Sequence, residues 1–304
     1  MVRGYVPLLL IVAGIWGASY LFIKVAVDEL EPSAMMELRL LLAALVIVPF
    51  VLARLGTRRA LSELKATGSG AFVLGVANMA LPFTLIAWGE KHVDSGIAAI
   101  ANASVPIFVA VLAVRFRPSE RARGIRLVGV LLGLVGVGVL TGLHPEGGWW
   151  AVAGTLAVVV ASLSYASANL YTQHRFPRTS PLVITAASSV AASVVLLPFA
   201  LLQLPDELPG WKTFASVAAL GVGGTAVALI FFYRMLVHYG ASRASLVTYL
   251  LPPFALVYGV VFLDEEVTLN ALLGLFLILT GVALGSGVVR LVRRREAAPA
   301  TPQP

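Results

Sequence analysis

Three ionisable side chains stand inside or at the edge of long apolar runs: Lys24, Glu37 and Arg39. A charge surrounded by hydrocarbon is costly, so each needs a partner, water or a function. Counted from Ser33, Arg39 is about 9 Å into its run at ~1.5 Å per residue. That depth calls for a polar partner or a water path. Glu37 comes two residues earlier and points to nearly the opposite face of a helix, so the two do not line one cavity. Glu37 is the one carboxylate well inside an apolar run and hence the obvious proton carrier. Buried charges tend to pair, however, and a structural pair with Lys24 across two neighbouring helices is expected. Lys24, about 6 Å from Asp28 on the same rise, suits a snorkelling anchor equally well.

Uncharged polar groups recur at helical spacing. Ser162, Tyr165, Asn169 and Thr172 fall on one helix face. Ser245, Thr248 and Tyr249 precede Pro252-Pro253, and Asn102 precedes Pro106. Asn78 and Trp88 share another run, as do Trp16, Ser19 and Tyr20. Tyr20, Asn78, Trp88, Asn102, Tyr165, Asn169 and Tyr249 are therefore the candidates for the wall of a substrate cavity. The competing reading is that they only hydrogen-bond neighbouring helices or mark the membrane interface. Pro106 and Pro252 are candidate hinges, since a proline can interrupt a membrane helix and free carbonyls. A plain packing kink is the alternative. Glycines at 129, 133, 136, 274, 281 and 285 form close-packing seams, with a homodimer contact as one further use.

Other chemistry is missing. The four histidines (92, 144, 174 and 238) are scattered, and there is no HExxH, Walker or GxSxG motif. The absence of cysteine excludes disulfides and thiolate metal sites. No catalytic residue, metal site or cofactor is expected, and the chain does not look like an enzyme. Without a nucleotide-binding motif of its own, any uphill transport would be ion-coupled, exchange-driven or dependent on a separate ATPase.

These residues must be positioned by membrane helices. With 59% hydrophobic residues, 12% charged residues and a mean hydropathy of +0.92, the chain is an integral membrane protein. Runs of about 20 apolar residues suit a bilayer. Ten are read at 5–27, 33–53, 68–88, 95–115, 124–142, 149–171, 181–203, 212–236, 242–263 and 268–290. Placing both termini in the cytoplasm puts eighteen Lys and Arg residues in inner loops and leaves only Lys91 and Lys212 outside, as the positive-inside rule requires. Glu90 is then an outer-loop residue. The pI near 10.0 follows from this bias, so nucleic acid is not expected as a partner. Arginine in excess of lysine, with abundant Ala, Val and Gly, looks like a GC-rich bacterial genome, and the expected location is the bacterial cytoplasmic membrane.

The pattern is written twice. Leu74-Gly75-Val76 recurs as Leu220-Gly221-Val222, a spacing that also places Pro106 on Pro252 and Phe108 on Phe254. Pro32 and Pro49-Phe50 recur as Pro181 and Pro198-Phe199. The loop after Pro106 is nevertheless basic (Arg115, Arg117, Arg121, Arg123, Arg126), while its counterpart carries Asp264, Glu265 and Glu266. An odd number of helices per repeat explains the reversal, because the second copy is threaded upside down. The expected fold is an all-α membrane protein of ten transmembrane helices in two inverted five-helix repeats. The repeats occupy 5–142 and 149–290, followed by a cytoplasmic tail at 291–304.

Several of these residues carry a resemblance. WGASYLFIK at 16–24, Pro32 followed by Arg39, Pro106, and the Ser-Glu-Arg with spaced glycines over 119–137 resemble the EamA domain of the drug/metabolite transporter superfamily. Pro181, Pro252, Glu265, Gly274 and Gly281 repeat the pattern, so the resemblance covers nearly all of 8–288. The second copy departs from it where Ser162-Leu163-Ser164-Tyr165 replaces Trp-Gly. The resemblance implies a central cavity and the transport, usually outward, of a small metabolite, amino acid or drug. The partners expected are a small-molecule substrate and membrane lipid. A passive channel, a membrane enzyme and a lipid-handling protein are the alternatives from other classes.

Overall fold

A computed structural model describes residues 4–116, 125–141 and 148–285. The basic cluster at Arg117, Arg121 and Arg123, its neighbour Glu120, and the tail from 291 lie outside these residues. Among the described residues the chain is helical nearly throughout. Helices α1 (Tyr5–Ala26), α2 (Pro32–Leu55) and α3 (Ser69–Glu90) are long and apolar enough to cross a membrane. So are α4 (Ser95–Asn102 continued by Val105–Phe116), α6 (Gly148–Arg175), α7 (Pro181–Leu201) and α8 (Trp211–Tyr239). Three shorter apolar helices complete the set: α5 (Ile125–Thr141), α9 (Val247–Leu263) and α10 (Leu269–Gly285). Hydrocarbon offers no hydrogen bonds, so the backbone satisfies itself within each helix. The outward faces carry Leu45, Val135, Phe262 and Phe276, each more than half exposed, as suits contact with lipid tails. The chain is a multi-pass membrane protein.

Helix ends follow local chemistry. Pro32 and Pro181 open α2 and α7 at the first turn, where a missing N–H costs nothing. Gly56, at φ +78°, lets the chain leave α2 directly into a short amphipathic helix, Thr57–Thr67, which no apolar run marks in the sequence. Trp149, Trp150 and Trp211 stand largely exposed at the first turns of α6 and α8, where amphipathic rings favour the membrane interface.

Two irregularities position the interior. A π-helical stretch interrupts α3 at Val76–Ala80, and another interrupts α8 at Ala219–Val227. The second contains the sequence counterpart of the first. The packing has the same duplicity. α1 lies on α9 as α6 lies on α4, α8 on α1 as α3 on α6, and α8 on α2 as α3 on α7. α2 pairs with α7, and α5 with α10. The central core is drawn from most of these helices, among them Met35, Met36 and Leu40 of α2, Ile100 of α4, Val158 of α6 and Leu220 of α8.

The glycine seam lies inside the chain. A Cβ on Gly281 would sit 2.5 Å from the nitrogen of Gly133, and one on Gly274 would sit 3.1 Å from the carbonyl oxygen of Gly136. These residues hold α5 against α10, the close-packing seam expected from their spacing.

Candidate functional site

The polar interior is built on two chains of contacts. In the first, Asn102 at the end of the first α4 piece donates through Nδ2 to the hydroxyl of Tyr20 on α1, at 2.8 Å. Its Oδ1 accepts from Ser162 Oγ on α6 at 3.1 Å. Both ends of the amide are thus engaged, one by each neighbouring helix. Helix α4 is interrupted at Ala103–Ser104, two residues before Pro106, in a turn closed by Ser104 N on Ala101 O at 3.2 Å and Ile107 N on Ser104 O at 2.9 Å. Pro106 thus stands where a hinge was expected.

The second chain centres on Arg39. It is buried, at 6% exposed. Its Nε donates to Thr225 Oγ1 in the π stretch of α8 at 3.0 Å. Its guanidinium lies 4.0 Å from the centroid of the Phe83 ring, a cation–π contact. Met36 Sδ is the third neighbour, at 3.9 Å. Among the described residues no carboxylate lies within ion-pair distance of it. Its charge acts on Tyr20 and Tyr165 and so reaches the first chain. Phe83, Tyr165 and Tyr249 pack on the central core yet stay half-buried, as do Asn102 and Asn78. A desolvated guanidinium with only neutral contacts attracts an anionic group, and phenols and an amide beside it can orient one.

The remaining charges are not arranged as expected. Lys24 does not meet Glu37. Its Nζ donates to the main-chain oxygens of Glu90 and Val93, each at 2.8 Å, and so clasps the end of α3 to α1. Glu37 faces α7 instead, where Ser193 donates to Oε1; its Oε2 has no partner among the described residues. Glu37 is also not the only buried carboxylate. Glu90, expected in an outer loop, closes the last turn of α3 and is fully buried, with both carboxylate oxygens unpartnered among the described residues. It lies two residues beyond the apolar run at 68–88, where nothing local marks a buried acid. Glu265, in the turn before α10, caps the start of α4. It accepts from Ser95 N at 2.7 Å, Ser95 Oγ at 2.8 Å and Gly96 N at 3.2 Å.

Not every candidate joins these chains. Trp88 joins an aromatic cluster at the helix ends: its ring lies 4.6 Å from that of His92 and 6.4 Å from that of Trp150. Asn169 is exposed, so the polar stripe of α6 turns outward within one turn of Tyr165. Asn78 sits in the π stretch, whose Ala77 carbonyl accepts from Ser164 of α6 at 2.7 Å. Pro252 does not break its helix. The irregularity lies at Ser245–Leu246, and α9 then runs through Pro252 and Pro253. The missing N–H groups of Pro252 and Pro253 would have reached Thr248 and Tyr249 in the first turn of α9, so the ladder loses two rungs near its start. Phe83, Thr225 and Ser162 were not singled out for the Arg39 and Asn102 contacts they make, because nothing local marks partners on distant helices. A separate apolar groove of about 610 Å³ lies between α1, α8 and α9, lined by Leu10, Gly14, Gly223, Phe254 and Tyr258 among others, and includes none of the candidate residues.

Similar proteins place this geometry. The EamA-like transporter family model matches residues 4–142 and again 152–287. An uncharacterized transporter of Archaeoglobus fulgidus is 27% identical over 88% of this chain and 93% of its own length. The uncharacterized inner membrane transporter YedA of Escherichia coli K12 is 26% identical over 81% of this chain and 78% of its own. A probable terminal-alkyne amino-acid exporter of Streptantibioticus cattleyicolor is 27% identical over 93% of both chains. A solved crystal structure with 20% identity superposes with a TM-score of 0.66, covering 97% of this chain and 99% of the other, and so shares its fold. Two matches that together span nearly the whole chain settle its affiliation: it is a membrane transporter and belongs to the EamA-like transporter family.

Proposed function

We propose that the chain is a secondary transporter that exports small organic metabolites, amino acids or related compounds across the bacterial cytoplasmic membrane by alternating access. Its ten helices form two inverted five-helix repeats with both termini in the cytoplasm. The solute is held between the repeats by Arg39, Tyr20, Asn102 and Tyr165, with an anionic group directed at Arg39.

The observation that carries this reading is Arg39 itself, buried with only neutral contacts where the two halves meet. Such a cation is costly in a membrane unless a ligand or water completes it. The exchange of equivalent contacts supports the two-fold relation of the repeats. A Cβ on Gly75 would lie 3.0 Å from the carbonyl oxygen of Ser188, and one on Gly221 would lie 2.9 Å from that of Arg39. Ser188 and Arg39 are equivalent in the Pro181 and Pro32 registers, so the two halves grip each other reciprocally. The amino-acid exporter among the relatives supports the substrate class.

An efflux and growth-rescue screen tests it. Cells lacking the protein, and cells overproducing it, are challenged with amino acids and toxic analogues. Overproduction should confer tolerance to a subset of carboxylate-bearing compounds, and Arg39→Leu should abolish it. Tolerance that is independent of Arg39, or ionic conductance without exchange, would favour a passive channel instead.

A further inference from the structure

The Glu90 carboxyl has no assigned role in the solute site, yet it is the most isolated acidic group among the described residues. It is 0% exposed and neither oxygen accepts a hydrogen bond. Glu37 has Ser193, and Glu265 has three donors. The charged and titratable groups acting on Glu90 are Lys24 and Tyr20 from α1, Arg39 from α2, and Glu265 from the turn before α10. Along the same turn of α3, helix α6 presents Gly154 and Val158 against Gly89, which bring no charge. His92, one turn on, stacks on Trp150 with ring centroids 5.2 Å apart. Lys91 is held by Glu31 at 2.7 Å.

Lys24 is the natural counterion, but two of its three donors go to the carbonyls of Glu90 and Val93. The ammonium therefore holds the backbone of this turn while the carboxylate beside it is left bare. A buried carboxylate without donors is strongly disfavoured. A proton on the carboxyl removes the charge and relieves that cost without disturbing the Lys24 clasp. When the clasp opens, α1 and α3 separate, water reaches the carboxyl, and Lys24 is free to pair with its anion. The closed end and the protonated acid therefore favour each other, and the coupling is reciprocal.

We propose that Glu90 is a proton-binding site that operates the outer gate: a proton on its carboxyl keeps the Lys24 clasp closed, and loss of that proton to external water opens it. The inference rests on the orientation and alternating access proposed above, and it supplies a coupling ion for them.

The chain has no cysteine, so a single introduced thiol is a clean reporter. Ala98→Cys, at a fully buried position on α4, is labelled from outside by a membrane-impermeant maleimide in whole cells. Its rate is normalised to Leu208→Cys on the exposed 204–210 loop, which removes the reagent's own pH dependence. Normalised labelling at Ala98→Cys should rise with external pH between about pH 5 and about pH 8, by at most about tenfold per unit, the limit for one proton. Glu90→Gln should stay slow and flat, and Glu90→Asp should keep a pH dependence. Lys24→Met, which removes the clasp, should label fast at both ends of the range; it also decides the matter if Glu90→Gln does not reach the membrane. An undiminished pH dependence in Glu90→Gln, which would move the proton to His92 or elsewhere, overturns the proposal. So does wild-type labelling that ignores pH, or a Lys24→Met variant that labels like the parent. The assay needs no transported solute, so its failure and a negative export screen are separate results.

Discussion

Arg39 on α2 and Thr225 on α8 join the two halves through one hydrogen bond, Nε to Oγ1 at 3.0 Å. Thr225 can accept it because its own hydroxyl proton goes to the carbonyl of Leu220 at 3.0 Å, five residues back. A carbonyl five residues back is the bonding register of a π stretch. The irregularity in α8 and the buried cation in α2 are thus one device.

Arg39→Leu should separate stability from transport. The variant loses one charge-assisted bond, worth about 2 kcal/mol, and also sheds the cost of a buried cation with no countercharge. Folded protein in the membrane and its melting temperature should change little, while export falls to background. Wild-type export by Arg39→Leu would remove the residue from the site.

Tyr20→Phe removes the acceptor for Asn102 Nδ2 and should cost about 1 kcal/mol in stability. Selectivity should move more than stability, because Asn102 becomes free to turn. A tolerance panel over Tyr20→Phe and Asn102→Ala checks this. Loss of folded protein in both, with an unchanged spectrum in any variant that folds, would assign these groups to helix packing.

Gly75→Ala and Gly221→Ala should destabilise by similar amounts, each about 1 to 3 kcal/mol, since an added methyl meets backbone in both places. Thermal melts of the purified variants test the reciprocity. A large cost at one position and none at the other would contradict the equivalence of the halves.

Much of this architecture was legible because membrane helices announce themselves locally. Apolar run length and loop charge put α1 at 5–27 and α7 at 181–203, against Tyr5–Ala26 and Pro181–Leu201 observed. Tyr20, Asn102 and Tyr165 were legible as polar groups spaced along apolar helices. Their partners were not, because Asn102 to Ser162 and Arg39 to Thr225 depend on which helix faces which. Glu90 was misplaced because two residues at a helix end decide between loop and core. Lys24 was paired with Glu37 on proximity of segments, whereas side-chain direction sends one to α3 and the other to α7.

A reporter that fluoresces only in the cytoplasm should light up when fused after Arg295 and stay dark when inserted in the 144–148 loop. The opposite pattern would reverse the topology and place the Lys24 clasp on the inner face.

Counterflow in proteoliposomes tests the central claim most directly. Vesicles preloaded with an unlabelled amino acid chosen by the tolerance screen are diluted into a trace of the same compound carrying a radiolabel. Alternating access through the Arg39 site predicts a transient overshoot of label inside wild-type vesicles and none with Arg39→Leu. Monotonic equilibration without overshoot, or an overshoot that survives Arg39→Leu, would contradict the account.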